Sequence, residues 1–417
     1  MVAGACAAVA AAGCGSGGTA TAVPAAAVIR GVATAEPDAS PKPYGAADTA
    51  FGLGVLRAWC AQYPGKNLVF SPSTLASSLG LAYLGARGTT ATAIAGVLHL
   101  PASAGTELDA GLQARSRALA GLNGPGVTLS PSNQVWADPS LPPQRGYLNA
   151  VATGYGAGIA QAPFLTDPAQ AAGQVNKAIS AETSGHISNL VTPQSVSGVG
   201  WVLTSALYLN AKWQTPFDAG KTQAGAFTLS GGKTVTAKYL DGDGFSYARS
   251  GGWTAVDLPY AGGKLTMTAL LPPSGSGSCA LPSQAGLSSV TAALSAGRSG
   301  TATINLPKVS LATGGQAGDM RAVLEDLGMG QAFSDTADFT GLSESAGKLA
   351  FVKQAATLSV TEKGTVASAA SAVGVYPSSA EVHPVVIQFN RPYLLLVSAK
   401  ATGEPLFLAE VANPAAS

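Results

Sequence analysis

Glu362-Lys363-Gly364-Thr365-Val366-Ala367-Ser368-Ala369-Ala370-Ser371-Ala372-Val373-Gly374-Val375-Tyr376-Pro377-Ser378-Ser379 follows a strand-like run, Phe351 to Thr361, and its reading decides the fold. No charged side chain occurs from Gly364 to Ala380, and every residue from Gly364 to Ala372 is small or β-branched. A central strand buries both faces, where a charge would be costly, so this composition permits entry into the middle of a sheet. Alternation places Thr365, Ala367, Ala369 and Ser371 on one face and Val366, Ser368, Ala370 and Ala372 on the other. Further on, Gly374, Pro377 and the Ser378-Ser379 pair have the chemistry of an exposed loop. Taken alone, the stretch also reads as an alanine- and serine-rich linker.

Working outward, the chain of 417 residues is long for one core but within the range of a large α+β domain. Charged residues make up 11%, and 23 basic against 22 acidic side chains leave a net charge of +1. That balance gives no basis for a nucleic-acid partner. Residues 1–42 are rich in alanine, glycine and threonine and are expected to be a disordered leader; residues 43–417 form one domain. Ala7 to Gly13 followed by Cys14 has the look of a truncated export or lipoprotein signal, which implies an extracellular or surface-anchored protein; a plain low-complexity leader is the alternative. Cys60 and Cys279 remain in the folded part, and they can pair only if the fold brings them together.

Along the domain, Ala46–Ala61 has helical apolar spacing, and Asn67–Phe70 is a short strand leading through Ser71-Pro72-Ser73 into an apolar helix. Leu108–Leu122 and Gln174–Ser184 read as helices and Val127–Ala137 as a strand. Trp201–Trp213 is too continuously apolar to face solvent and is rich in strand formers. From Phe227 to Leu271 strands alternate with glycine turns, a hairpin pattern, and Leu287–Leu294 is again a helix.

Catalytic patterns are missing. No serine is flanked by glycines two positions before and after, as a hydrolase elbow requires, and His99, His186 and His383 stand in no triad-like setting. No grouping has metal-ligand spacing, and Gly251-Gly252 and Gly262-Gly263 belong to hairpins and not to a phosphate loop. The chain is expected to be neither an enzyme nor dependent on a cofactor.

The hinge Glu362-Lys363-Gly364-Thr365, with Phe389-Asn390-Arg391-Pro392-Tyr393 and Leu406–Pro414 behind it, resembles the serpin family of serine protease inhibitors. Asn67–Ser73, Leu84–Thr90, Val175–Ile187, Lys212–Phe217 and Ala337–Ser343 resemble further family segments in the same order, from about residue 43 to 414. The resemblance implies an α+β fold. Its parts are a large central, mostly antiparallel sheet, two further sheets, about eight or nine helices and an exposed reactive loop at about 362–384.

The resemblance also implies a mechanism. A protease cleaves the loop, forms an acyl-enzyme and is trapped as the loop inserts into the sheet. The reactive bond is expected between Ser378 and Ser379, sixteen residues beyond the hinge glutamate. The hinge comprises Glu362, Lys363, Gly364, Thr365, Ala367 and Ala369. The breach comprises Trp213, Lys308 and Glu362, with Lys308 paired to Glu362, and the shutter comprises Ser71, Ser73, Ser205 and Gln354.

Two shutter positions depart from the family, which usually has asparagine at Ser205 and histidine at Gln354, and a contact between these two could substitute. The small residue before the bond suits an elastase- or subtilisin-like enzyme. The expected partner is a serine protease held in a covalent acyl complex by a monomeric inhibitor. Arg115 and Arg117 are too few for a strong heparin-type site. The alternative is a non-inhibitory relative that serves as a binding, chaperone-like or storage protein.

Overall fold

In a computed structural model, the structure describes residues 23–102, 105–296, 300–313, 318–365 and 385–416. The reactive bond, Ala367 and Ala369, and the leader through residue 22 with Cys14 lie outside these spans.

The main sheet contains β1 (Ala27–Ile29), β3 (Val127–Ala137), β4 (Ile159–Gln161), β5 (Trp201–Lys212), β11 (Val309–Thr313), β12 (Val352–Val360) and β13 (Gly364–Thr365). Its order is β1-β4-β3-β5-β12-β11, with β13 pairing β5. Only β3 with β4 and β5 with β12 run parallel. The second sheet system contains β2 (Leu68–Phe70), β6 (Gln223–Thr228), β7 (Thr234–Ser250), β8 (Trp253–Pro259), β9 (Leu265–Leu271), β10 (Thr301–Pro307), β14 (Val385–Gln388), β15 (Tyr393–Ala399) and β16 (Pro405–Val411). The two further sheets share β7, whose first part pairs β6 and β10 and whose last four residues pair β8. Gly251 and Gly252 make the turn into β8 with φ of 56° and 82°, values open to glycine at little cost.

Helices α1 (Lys42–Gln62), α2 (Pro72–Gly85), α3 (Gly88–Leu98), α4 (Gly105–Ala120), α5 (Arg145–Tyr155), α6 (Pro168–Glu182), α7 (Pro193–Val196) and α8 (Gln284–Ser295) cover the sheets. The apolar run of β5 follows from cover on both faces. Val202 and Ala206 pack with Val175 and Ile179 of α6. Leu207, Leu209 and Ala211 pack with Met267 and Leu395 from the second system. Helix α6 begins at Pro168 behind the cap Asp167, whose side chain accepts from Gln170 N, six residues earlier than the apolar spacing alone predicts. Cys60 and Cys279 form a disulfide that ties α1 to the loop before α8 across 219 residues of sequence.

The expected leader is ordered in part. Ala27–Ile29 pairs antiparallel with β4 and makes the edge of the main sheet. Beyond it, Val32 N donates to Asn149 Oδ1 at 2.9 Å, Thr34 N to Thr153 Oγ1 at 2.9 Å and Glu36 N to Gln113 Oε1 at 3.2 Å. Composition pointed to disorder because the segment carries few large side chains. Order here comes instead from main-chain groups, which find a strand edge and side-chain acceptors.

Candidate functional site

The slot that a new strand could enter lies between β5 and β12. Their parallel ladder joins Leu203–Leu207 to Val352–Ala356 and goes no further. Above it, β12 turns through Thr361–Lys363 into β13, which runs antiparallel to β5 with Gly364 opposite Lys212 and Thr365 opposite Ala211. Thr361 closes the turn, its N and Oγ1 donating to Gly364 O at 3.1 and 2.7 Å. Gly364 is required at this crossing, because a Cβ there would overlap the Ala211 carbonyl. Thr365 is fully buried, and its Oγ1 hydrogen-bonds the Tyr260 hydroxyl at 2.6 Å. Burial keeps that phenol protonated by pushing its pKa up.

The same end of the sheet holds the expected breach residues together. Lys308 Nζ donates to both carboxylate oxygens of Glu362 at 2.8 Å, and Thr222 Oγ1 donates to Glu362 Oε1 at 2.9 Å. Burial raises the Glu362 pKa, but these hydrogen bonds outweigh it and hold the carboxyl below the usual glutamate value. Trp213 stacks on Tyr260 at 4.5 Å between ring centroids, and its Nε1 donates to Thr361 O at 2.8 Å. Main-chain bonds Trp213 N to Lys363 O (3.0 Å) and Phe217 N to Glu362 O (2.8 Å) fasten the turn from the other side.

Midway down the slot the expected shutter residues also meet. Ser205 and Gln354 are register partners in the ladder, and both are fully buried. Gln354 Nε2 donates to Ser71 O at 2.9 Å and shares its second N–H between Ser205 Oγ and Thr74 Oγ1, each at 3.3 Å, while its Oε1 accepts from Ser71 N at 3.3 Å. Ser71 Oγ caps α2 by accepting from Thr74 N at 3.2 Å and lies 3.3 Å from Ser73 Oγ. A glutamine can hold this position because its amide both donates and accepts, so Gln354 of β12 bonds the β2–α2 junction and also Ser205 of β5 across the slot.

The sequence model of the serpin (serine protease inhibitor) family matches residues 46–414. The chain belongs to the serpin family. Serpin-ZXA of Oryza sativa subsp. japonica is 31% identical over 377 residues, covering 84% of this chain and 91% of its own length. The leukocyte elastase inhibitor of Bos taurus is 26% identical over 389 residues, covering 88% and 99%. Among solved structures, human thyroxine-binding globulin superposes with a TM-score of 0.75 at 25% identity, over 90% of this chain and all of its own. Serpins are mostly protease inhibitors and not catalysts, yet relatives of this chain are named for inhibition and for binding thyroxine alike. Membership therefore sets the fold and leaves the activity to the loop and hinge.

One feature of this serpin escaped the sequence reading. Arg115 is not a surface cation: it is buried between Asp48 of α1 and Glu404, with Nε and Nη2 donating to Glu404 Oε1 at 3.0 and 2.7 Å and Nη2 also bonding Asp48. It further donates to Ser77 Oγ at 2.6 Å and to Ser73 O at 2.8 Å. The cluster thus braces α2 behind the shutter. Burial holds the Asp48 carboxyl well above its usual pKa despite Arg115, and the neighbouring Glu404 adds to the rise. Its signal was present: Leu108, Leu112, Arg115 and Leu119 share one helical stripe, so the arginine had to face the core. His186 is exposed and stacks on Tyr208 at 4.7 Å between ring centroids.

Proposed function

We propose that this serpin is a suicide-substrate inhibitor of a serine protease of elastase- or subtilisin-like preference. The observation that carries the proposal is β13: the hinge already pairs with β5 at the head of the slot, antiparallel to β5 and so also to β12. Continued insertion replaces one parallel ladder with two antiparallel ones, which are somewhat more stable per residue. Thr357 Oγ1, just above the last ladder pair, is buried without a hydrogen-bond partner, as befits a site still awaiting a neighbour.

In the proposed reaction the protease serine attacks the Ser378 carbonyl carbon, the bond to the Ser379 nitrogen breaks, and that amine leaves with a proton from the protease histidine. The freed hinge segment from Gly364 to Pro377 would make roughly 45 Å of strand, enough to carry the acylated protease the length of the sheet. Distortion of its active site then stalls deacylation, since about 1 Å of misplacement costs about a hundredfold in rate. The disulfide supports placement outside the cytoplasm, where such bonds persist.

The test is incubation with elastase-, subtilisin-, chymotrypsin- and trypsin-like enzymes. A denaturant-resistant complex with one of the first two, and a C-terminal fragment beginning at Ser379, is the expected result. Cleavage by all four without any complex, or without a rise in unfolding temperature after cleavage, would identify a non-inserting relative.

A further inference from the structure

We propose that a cavity between α6 and the outer half of the main sheet binds a small neutral ring compound that carries one N–H or O–H donor. The cavity has a volume of about 280 Å³ and lies away from the slot, between α6, β3, β4 and the edge strand β1. Its walls are Val28, Trp136, Ala160, Ala178 and Ile179, which are apolar over most of their surface. The Trp136 Nε1 already donates to Thr204 Oγ1 at 3.0 Å, so this ring offers only apolar surface to an occupant.

One group in the wall is out of keeping with it. Gln174 of α6 is only 6% exposed, lines the cavity, and its Oε1 is buried with no hydrogen-bond partner. An unsatisfied buried acceptor is costly, and a donor on a bound molecule removes that cost. Neighbouring polar groups of the helix are engaged. Asn176 accepts from Leu190 N and Val191 N and donates to Val191 O, and Lys177 Nζ donates to Val23 O at 2.7 Å. The buried Ser132 adds a neutral hydroxyl to the lining, whereas the charged Lys177 and Glu182 are both exposed. A mostly apolar chamber that holds the buried, unpaired Gln174 acceptor, with neutral Ser132 and Gln134 as its other polar wall residues and its charged residues exposed, selects a neutral ligand, and its volume limits that ligand to one or two rings.

The experiment is calorimetric titration of the full chain with indole, with 1-methylindole as the probe that lacks the donor. Saturable one-to-one binding of indole is expected, with 1-methylindole at least tenfold weaker. Gln174→Leu should bring indole down to the 1-methylindole level, and Ala178→Trp, which fills the chamber, should abolish binding of both. Absence of saturable indole binding, equal binding of the two probes, or indole binding unchanged in Gln174→Leu overturns the proposal. No protease enters the assay, so its outcome is separate from that of the inhibitory reading.

Discussion

At its upper end β5 pairs with β13, whereas midway along it pairs with β12, and the two junctions are built from different chemistry. The upper one uses an ion pair, with Lys308 and Glu362 side chains 33% and 16% exposed, and an aromatic stack beside it. The middle one uses only neutral groups, Ser71, Ser73, Thr74, Ser205 and Gln354, all fully or nearly fully buried. Desolvation of a fully buried charge pair can exceed its Coulombic gain unless further hydrogen bonds satisfy the charges, as they do for Arg115 behind α2, and the breach pair escapes most of that cost because water still reaches it. An amide and hydroxyl network suits the dry position because every polar atom can be matched. The difference teaches that the slot has an entrance that already admits two strand residues and a lock beneath it that the proposed insertion would have to break.

The largest effect should come from blocking the entrance. Thr365→Arg puts a guanidinium where Thr365 is fully buried, and Gly364→Val puts a side chain into the Ala211 carbonyl. Either change should force β13 off β5 and, under the proposed mechanism, turn an inhibitor into a substrate, with the yield of covalent complex falling about tenfold or more. If densitometry of the complex showed wild-type yield for both variants, the entrance would have no role and the comparison would collapse.

Next in size is the lock. Gln354→Leu removes the amide that bonds Ser71, Thr74 and Ser205, and it leaves Ser71 N without its acceptor in a dry site, while Ser71 O keeps the helical bond from Leu75 N. Stability in denaturant should fall by about 2–4 kcal/mol. A double-mutant cycle with Ser205→Ala should give a coupling of about 1 kcal/mol, and additive losses would mean that the two residues do not act together. A smaller loss belongs to Tyr260→Phe, which removes one hydrogen bond to Thr365 but keeps the stack on Trp213, and should cost about 1 kcal/mol by thermal unfolding.

How much of this was legible depends on how local each signal was. The hinge could be read because absence of charge and bulk is itself a signature of burial, and β5 could be read because its first nine residues, Trp201–Leu209, are all buried and leave a nearly continuous apolar run. The Lys308–Glu362 pair spans 54 residues and has no local signal, so it came only from resemblance to a family. Ser205 and Gln354 were legible as a substituted pair because both departed from the same pattern. Arg115 was weighed only as one of two basic residues, and its partners, 67 and 289 residues away, could not have been named from spacing. The edge strand was missed because its order rests on main-chain bonds, which any sequence can make, and Gln174 because nothing in the letters says that a buried amide lacks a partner.

The smallest effect, and the one that separates charge from shape at the entrance, is the pH dependence of the Lys308–Glu362 pair. Burial opposes ionisation of Glu362, but hydrogen bonds led by that from Lys308 depress its folded pKa below the usual glutamate value. A depressed carboxyl pKa means that the unfolded chain binds the proton more readily, so the stabilisation is complete above the unfolded value of about 4.3 and disappears as pH falls through the folded one. Other carboxylates titrate in the same range, so the informative quantity is the difference between wild type and Glu362→Gln. That difference should be about 1 kcal/mol at pH 7, reduced from a fully buried pair by the solvent that reaches Lys308, and should shrink towards zero below the folded pKa. Denaturant unfolding at pH 7 and at successive steps below pH 4 measures it. A difference that stays constant across that range would assign the entrance to the turn, the stack and the main-chain bonds alone, and would leave the ion pair as a surface contact without energetic consequence.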